Sequence, residues 1–287
     1  MQTREVREGA PRPAARRART RGATLRRIGK IVLALVVLLA VAVVGGVGWI
    51  GSERAIHRAP NNYSWGLNDY PNLKPEPVTI ASRTGTRIAG RFFPGRSRTT
   101  IILSPGYGDR QEQMLPWADF LSRAGYSVFT YDMRARGQSG GDAITLGALE
   151  QEDLLSVIDY VAARPDVDKD KIGALGVSLG GAATVLAAAR DPRVKVVVDD
   201  CGFSDAPNVI FSAFEHFIHL PPIPFAPVTV AIADLRTGQR IERVRPVDAI
   251  GRIAPRPVFI IHGLADAYVP PDNGERNFAA AKEPKQV

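Results

Sequence analysis

Residues 171–190 read KIGALGVSLGGAATVLAAAR, and the reading of this stretch decides the fold. After Lys171, IGALGV is apolar and uncharged, as suits a strand buried on both faces. LGGAATVLAAAR is rich in alanine, the strongest helix former. Between them stand Gly176-Val177-Ser178-Leu179-Gly180. A strand that runs straight into a helix must turn sharply, and flanking glycines remove the side chains that would collide there. Such a turn presents the serine oxygen above the sheet, beside the first free amide of the helix, that of Leu179. G-x-S-x-G by itself is weak in a chain with 27 glycines, and its strand–turn–helix setting is what gives it force. A phosphate-binding glycine loop fits less well, because no lysine follows and the glycine spacing differs.

Outward from this turn, strands and helices alternate. Residues 99–104 (TTIILS), 126–132 (YSVFTYD), 194–198 and 258–261 (VFII) read as strands. Residues 110–124, 146–164 and 179–190 carry helical spacing, and a further helix is expected over 272–282. Residues 77–82 and 87–93 form a candidate hairpin around Thr84-Gly85-Thr86. Alternation of this kind predicts an α/β fold, a mostly parallel sheet with helices on both faces and functional residues at the strand ends. Residues 203–245 break the pattern with five prolines and an apolar mix, and predict a small helical cap over those ends.

Two further segments bring chemistry. Ser104-Pro105-Gly106-Tyr107-Gly108 follows the TTIIL strand. Acyl transfer needs two amide donors aimed at the developing oxyanion. Leu179 offers one, and Tyr107 offers the other unless this is a plain β-turn. His262-Gly263-Leu264-Ala265-Asp266 follows the last clear strand. Asp266 then stands after the serine in chain order, where the acid of a Ser–acid–His triad belongs, or it merely caps the helix beyond Pro271.

The ordered set SPGYG, YDMRARGQS, GVSLG and HGLAD resembles the α/β-hydrolase fold serine hydrolases over about residues 78–287. The likeness is to the membrane-anchored Bem46-like, serine aminopeptidase-like group. It implies Ser178 as nucleophile, Asp266 as acid, Tyr107 and Leu179 as oxyanion donors, and no metal or cofactor. Asp132, Arg134, Gly137 and Ser139 match the group's D-x-R-x-x-G-x-S loop, which shapes the wall of the site. Ser104 stands where the group often has histidine.

The resemblance also implies a histidine after the acid. The four histidines are His57, His216, His219 and His262, and none follows Asp266. His216 and His219, three apart, make only a weak metal pattern. His262 reads as part of the turn. Residues 283–287 read as the lead-in to a strand, after which the group's histidine is expected; the nucleotide sequence past codon 287 tests this. The alternative is a non-catalytic binding or regulatory protein on the same scaffold.

The net charge of +8 points first to nucleic acid, but its location argues otherwise. Residues 1–30 hold ten basic and two acidic residues, so the remainder is neutral and has no basic face for a phosphate backbone. Residues 31–50 (IVLALVVLLAVAVVGGVGWI) carry no charge, and at helical rise span about 30 Å, the thickness of a hydrocarbon core. We read a basic cytoplasmic tail (1–30), a transmembrane helix (31–50), a linker (51–77) and an extracytoplasmic hydrolase domain (78–287), with the orientation set by the positive-inside rule. Ala40-Val41-Ala42 leaves a cleavage site open, although the apolar run is longer than a signal peptide needs. The expected partners are the bilayer and a small-molecule or peptide acyl substrate, with no nucleic acid. The single cysteine, Cys201, excludes an internal disulfide framework.

Overall fold

The computed structural model describes residues 13–59 and 61–287, and side chains from residue 25 onward. Chain contacts divide it into two units, residues 1–46 and 47–287. The first contributes most of helix α1 (Pro13–Ile56), in which Leu25–Ile56 is long and apolar enough to cross a membrane. That apolar helix is longer than the expected 31–50 at both ends. Residues 1–12 of the basic tail lie outside the described residues.

The second unit is built on eight strands. These are β1 (Glu76–Ala81), β2 (Arg87–Phe93), β3 (Thr100–Ser104), β4 (Ser127–Tyr131), β5 (Ile172–Val177), β6 (Val194–Asp200), β7 (Val258–Ile261) and β8 (Lys285–Gln286). Their order across the sheet is β1-β2-β4-β3-β5-β6-β7-β8. Strand β2 runs antiparallel to β1 and β4, and every other pairing is parallel. Helices α2 (Leu115–Arg123), α3 (Glu150–Ala163), α4 (Leu179–Ala188) and α7 (Asp272–Ala280) connect them. All ten residues of α4 are buried, and its alanines let it lie close to the sheet. This is the α/β-hydrolase fold.

Between β6 and β7 the chain leaves the sheet as α5 (Ala206–Ala213), a π-turn at Phe214–Ile218, and α6 (Pro222–Thr237). These residues occupy the expected cap, 203–245.

The stretch read as a linker, 51–77, is not a free tether. Gly48, Ser52 and Ile56 are buried at a four-residue spacing along the end of α1, so one face of that helix packs on the domain. Arg236 of α6 donates to Ser52 Oγ and Glu53 and lies over the Trp49 ring. Further on, Asn61 and Tyr63 both donate to Asp109, and Leu73 enters the core beneath Phe93 and Met114.

Three element boundaries also differ from the sequence reading. The helix expected over 146–164 starts at Glu150, because Leu146 and Gly147 both take positive φ. The Glu150 carboxylate collects the amides of Thr145 and Gly147 and the Thr145 hydroxyl, fixing this turn. The helix expected over 110–124 begins as a 3-10 turn, Gln111–Met114, before α2. Residues 283–287 do not merely lead into a strand, because Lys285 and Gln286 already pair with Val258 and Phe259.

Candidate active site

Strands β3, β5 and β6 are in register where it matters: Ser104 stands opposite Gly176, and Val177 opposite Asp200. Their C-terminal ends therefore open at one level, and Ser178 follows directly. Its backbone sits at φ 54°, ψ −115°, a conformation that costs a non-glycine residue about 1–3 kcal/mol. The surroundings hold it there. Ser178 N donates to Asp200 O at 2.8 Å, and Ser178 O accepts from Ala182 N as the first bond of α4. A Cβ on Gly176 would lie 2.1 Å from Gly180 O, and one on Gly180 would lie 2.2 Å from Ser104 O. Both glycines of the motif are thus required by close backbone approach.

Tyr107 lies in the loop after β3. Its N–H meets no acceptor among the described residues. The loop is held by a relay: Gly106 N donates to Gln113 Oε1, and Gln113 Nε2 donates to Asp109 Oδ2. Asp109 Oδ1 is taken by Asn61 and Tyr63. The Tyr107 hydroxyl points away from the strand ends and donates to Arg54 O and Ala55 O, closing two of the terminal carbonyls of α1. Burial pushes this phenol up to about 12.

Asp266 occupies the turn after β7. Its Oδ1 accepts from Tyr268 N at 2.8 Å and Val269 N at 3.0 Å, so the carboxylate is fixed by its own loop, not by the helix beyond Pro271. Ser178, Leu179, Tyr107 and Asp266 all line one cavity of about 820 Å³. Ile210, Phe214 and Phe217 of the cap supply its apolar side.

Cys201 lines the same cavity. Burial, with the Asp200 carboxylate beside it, pushes its thiol up to about 12. The thiol stays protonated at neutral pH and is a poor nucleophile.

The histidines are dispersed. His262 Nε2 pairs with Val269 O at 2.8 Å, and its ring packs against Gly274 of α7. His216 Nδ1 meets Ser212 O, whereas His219 takes a left-handed conformation that ends the π-turn, so the two do not form a helical ligand pair. Among the described residues, no group of three His, Cys, Asp or Glu side chains is placed to hold a metal. His57 lines the cavity and bonds Glu53 Oε1 at 2.9 Å.

The D-x-R-x-x-G-x-S loop, expected to shape the wall of the site, contributes no residue to the cavity lining. Asp132 accepts the amides of Gln111 and Gln138, and Ser139 Oγ bridges Ala89 N and Asp132 O, tying the loop to β2.

What the sequence reading did not find is the contribution of α1. Gly51, Arg54, His57 and Arg58 also face the cavity. Four-residue spacing of buried positions after Val47 is the signal that could have found it, but the glycines and the uniform apolarity of the segment obscure that period.

With this geometry established, three comparisons bear on it. The profile of the S15 family, X-Pro dipeptidyl-peptidase, matches residues 98–215. The uncharacterized protein YqkD of Bacillus subtilis is 26% identical over 238 residues, covering 82% of this chain and 77% of its own. The uncharacterized protein YfhR of Salmonella typhi is 29% identical over 229 residues, covering 74% and 71%. Among solved structures, the Pyrococcus furiosus esterase Pf2001 aligns with TM-score 0.63 at 21% identity, over 79% of this chain and 86% of its own. Acetyl xylan esterase 1 of Thermoanaerobacterium aligns at 0.56 and 18% identity, over 84% of both chains. These likenesses show the α/β-hydrolase fold.

Proposed function

We propose that this α/β-hydrolase-fold protein is a membrane-tethered serine hydrolase of the Bem46-like kind, cleaving a carboxylic ester, thioester or amide through an acyl-enzyme. The observation that carries the reading is Ser178, held at a strained backbone angle on the wall of a cavity that it shares with Asp266, Leu179 and Tyr107. Strain of this kind is kept where position serves chemistry. Ser178 Oγ attacks the carbonyl, the amides of Leu179 and Tyr107 receive the oxyanion, and Asp266 orients a histidine base. The names of the S15 family and of the aligned esterases support the same class. Residues 31–50 cross the bilayer with the basic tail in the cytoplasm and the hydrolase domain outside.

One observation favours a second reading, a binding protein that does not catalyse. None of the four histidines hydrogen-bonds Ser178 or Asp266, and two backbone amides occupy Asp266 Oδ1. A fluorophosphonate probe applied to the natural gene product in membranes separates the two. The hydrolase predicts a covalent label that Ser178→Ala abolishes, whereas a folded protein that takes no label establishes the binding reading instead. A panel of acyl nitrophenyl esters against aminoacyl anilides then assigns the bond cleaved.

A further inference from the structure

Acyl transfer explains one wall of the cavity and leaves the other unexplained. The unexplained wall is the end of α1 and the residues after it, with Arg54, His57 and Arg58 facing inward. Helix α1 ends six residues past Ile50, the last residue of the uncharged run, or about 9 Å further along at helical rise.

The wall is cationic, although Asp109 shares the cavity. Among the described residues, Arg54, Arg58 and Arg136 have no carboxylate at ion-pair distance; the nearby Glu53 is taken by Arg236 and His57. Arg58 lays its guanidinium 5.1 Å from the Tyr107 ring centre and packs its stem on Gly108. Arg136 is only 8% exposed, and its Nε and Nη2 meet no acceptor; Nη1 alone reaches Ala135 O. The two guanidinium charges converge on Tyr107. Arg54 and Arg58 line the cavity without a carboxylate partner, and an anion entering it would pair with them. Across the cavity, Ile210, Phe214 and Phe217 offer an apolar surface suited to hydrocarbon.

We propose that the cavity takes a single-chain amphiphile with an anionic head, phosphate or carboxylate. Its acyl chain lies under the cap and its head rests on Arg58 with Arg54. The proposal rests on Ser178 as acyl acceptor. Ser178 Oγ bonds to the acyl carbon, the ester bond to the head breaks, and the serine proton leaves with the alcohol of the head. Water then adds to the acyl-serine, freeing the fatty acid and restoring the hydroxyl.

The test uses the full chain as Ser178→Ala, which prevents turnover, in nonionic detergent. Calorimetric titration compares 1-oleoyl-lysophosphatidate, 1-oleoyl-lysophosphatidylcholine and inorganic phosphate. Lysophosphatidate should bind about tenfold more tightly than the choline lipid, with inorganic phosphate binding far more weakly than either. Arg58→Gln, and Arg54→Gln as an exposed second variant, should erase most of that preference. Equal affinity for the two lipids, or a preference untouched by both variants, overturns the proposal. Inorganic phosphate binding as tightly as lysophosphatidate also overturns it, because the acyl chain then contributes nothing. Fluorophosphonate labelling reports separately. A lipid preference without labelling leaves the anionic site standing and removes the catalytic reading, and labelling without the preference does the reverse.

Discussion

Arg134 and Asp153 form a two-pronged ion pair inside the protein, Nε to Oδ2 and Nη2 to Oδ1, both at 2.7 Å. The side chains are 5% and 1% exposed. The pair joins the loop after β4 to α3, behind the wall of the cavity. Burial holds the Asp153 carboxyl above its usual range even though Arg134 draws it down. Arg134→Ala should destabilise the fold by about 3–5 kcal/mol, because it leaves a buried carboxylate unpaired. Replacing both residues, as Arg134→Met with Asp153→Leu, should recover most of that loss. Urea denaturation of the two variants checks the contrast.

Ser178→Gly should give a protein that takes no fluorophosphonate label and yet melts higher than the parent. Glycine adopts φ 54° without strain, so about 1 kcal/mol is regained. Calorimetry that finds no rise in melting temperature would mean that the turn is relaxed with serine in place.

Gly180→Ala tests the same turn from its far side. The new methyl group would meet Ser104 O at 2.2 Å, and backbone cannot swing aside as a side-chain end can. The expected result is a loss of about 1–3 kcal/mol or more, with labelling of Ser178 lost because β3 and α4 are forced apart.

Asp199 supplies the pH dependence. It is completely buried beneath the turn, and burial pushes its carboxyl up to about 7, outweighing the hydrogen bond from Asn277. His262 and Asp200 lie near it, and they act on it in opposite directions. The folded state therefore binds this proton more tightly than the unfolded chain, whose value is 3.8. The stabilisation is fully present below pH 3.8 and is lost as pH rises toward 7. Melting temperature should fall between pH 5 and pH 8, and Asp199→Asn should flatten the fall. A parallel decline in both proteins would assign it to other groups.

Ile56 is 2% exposed although it lies in the stretch that the sequence presents as a tether. Ile56→Ala should cost about 2–4 kcal/mol, as for a core aliphatic residue. An effect under half a kilocalorie in denaturant titration would show that the end of α1 contributes nothing to the fold.

The turn at Ser178, the alternating strands and helices, and Asp266 after β7 were all legible because each depends on local rules: glycine sterics, periodicity and position at a strand end. The cap was legible only as an interruption by proline, not as two helices and a π-turn. The start of α3 was misread because the hydrophobic period runs back to Leu146, whereas the positive φ at Leu146 and Gly147 ends the helix there. The wall supplied by α1 was not legible, because lipid contact and protein contact both select apolar residues. A run such as AVVGGVGWI does not say which of the two it faces. The idle donors of Arg136 are likewise a property of tertiary packing, invisible in a loop motif.

The end of α1 has an implication for which changes of sequence the domain can accept. A single residue inserted between Gly48 and Ile56 would turn one part of this face against the other by about 100°, so that Gly48, Ser52 and Ile56 no longer all pack on the domain. Relatives should therefore tolerate substitutions at the exposed positions of this stretch while rejecting insertions and deletions between residues 48 and 56. In this stretch the reading frame of a helix, and not its composition, is what keeps Arg54 at the site.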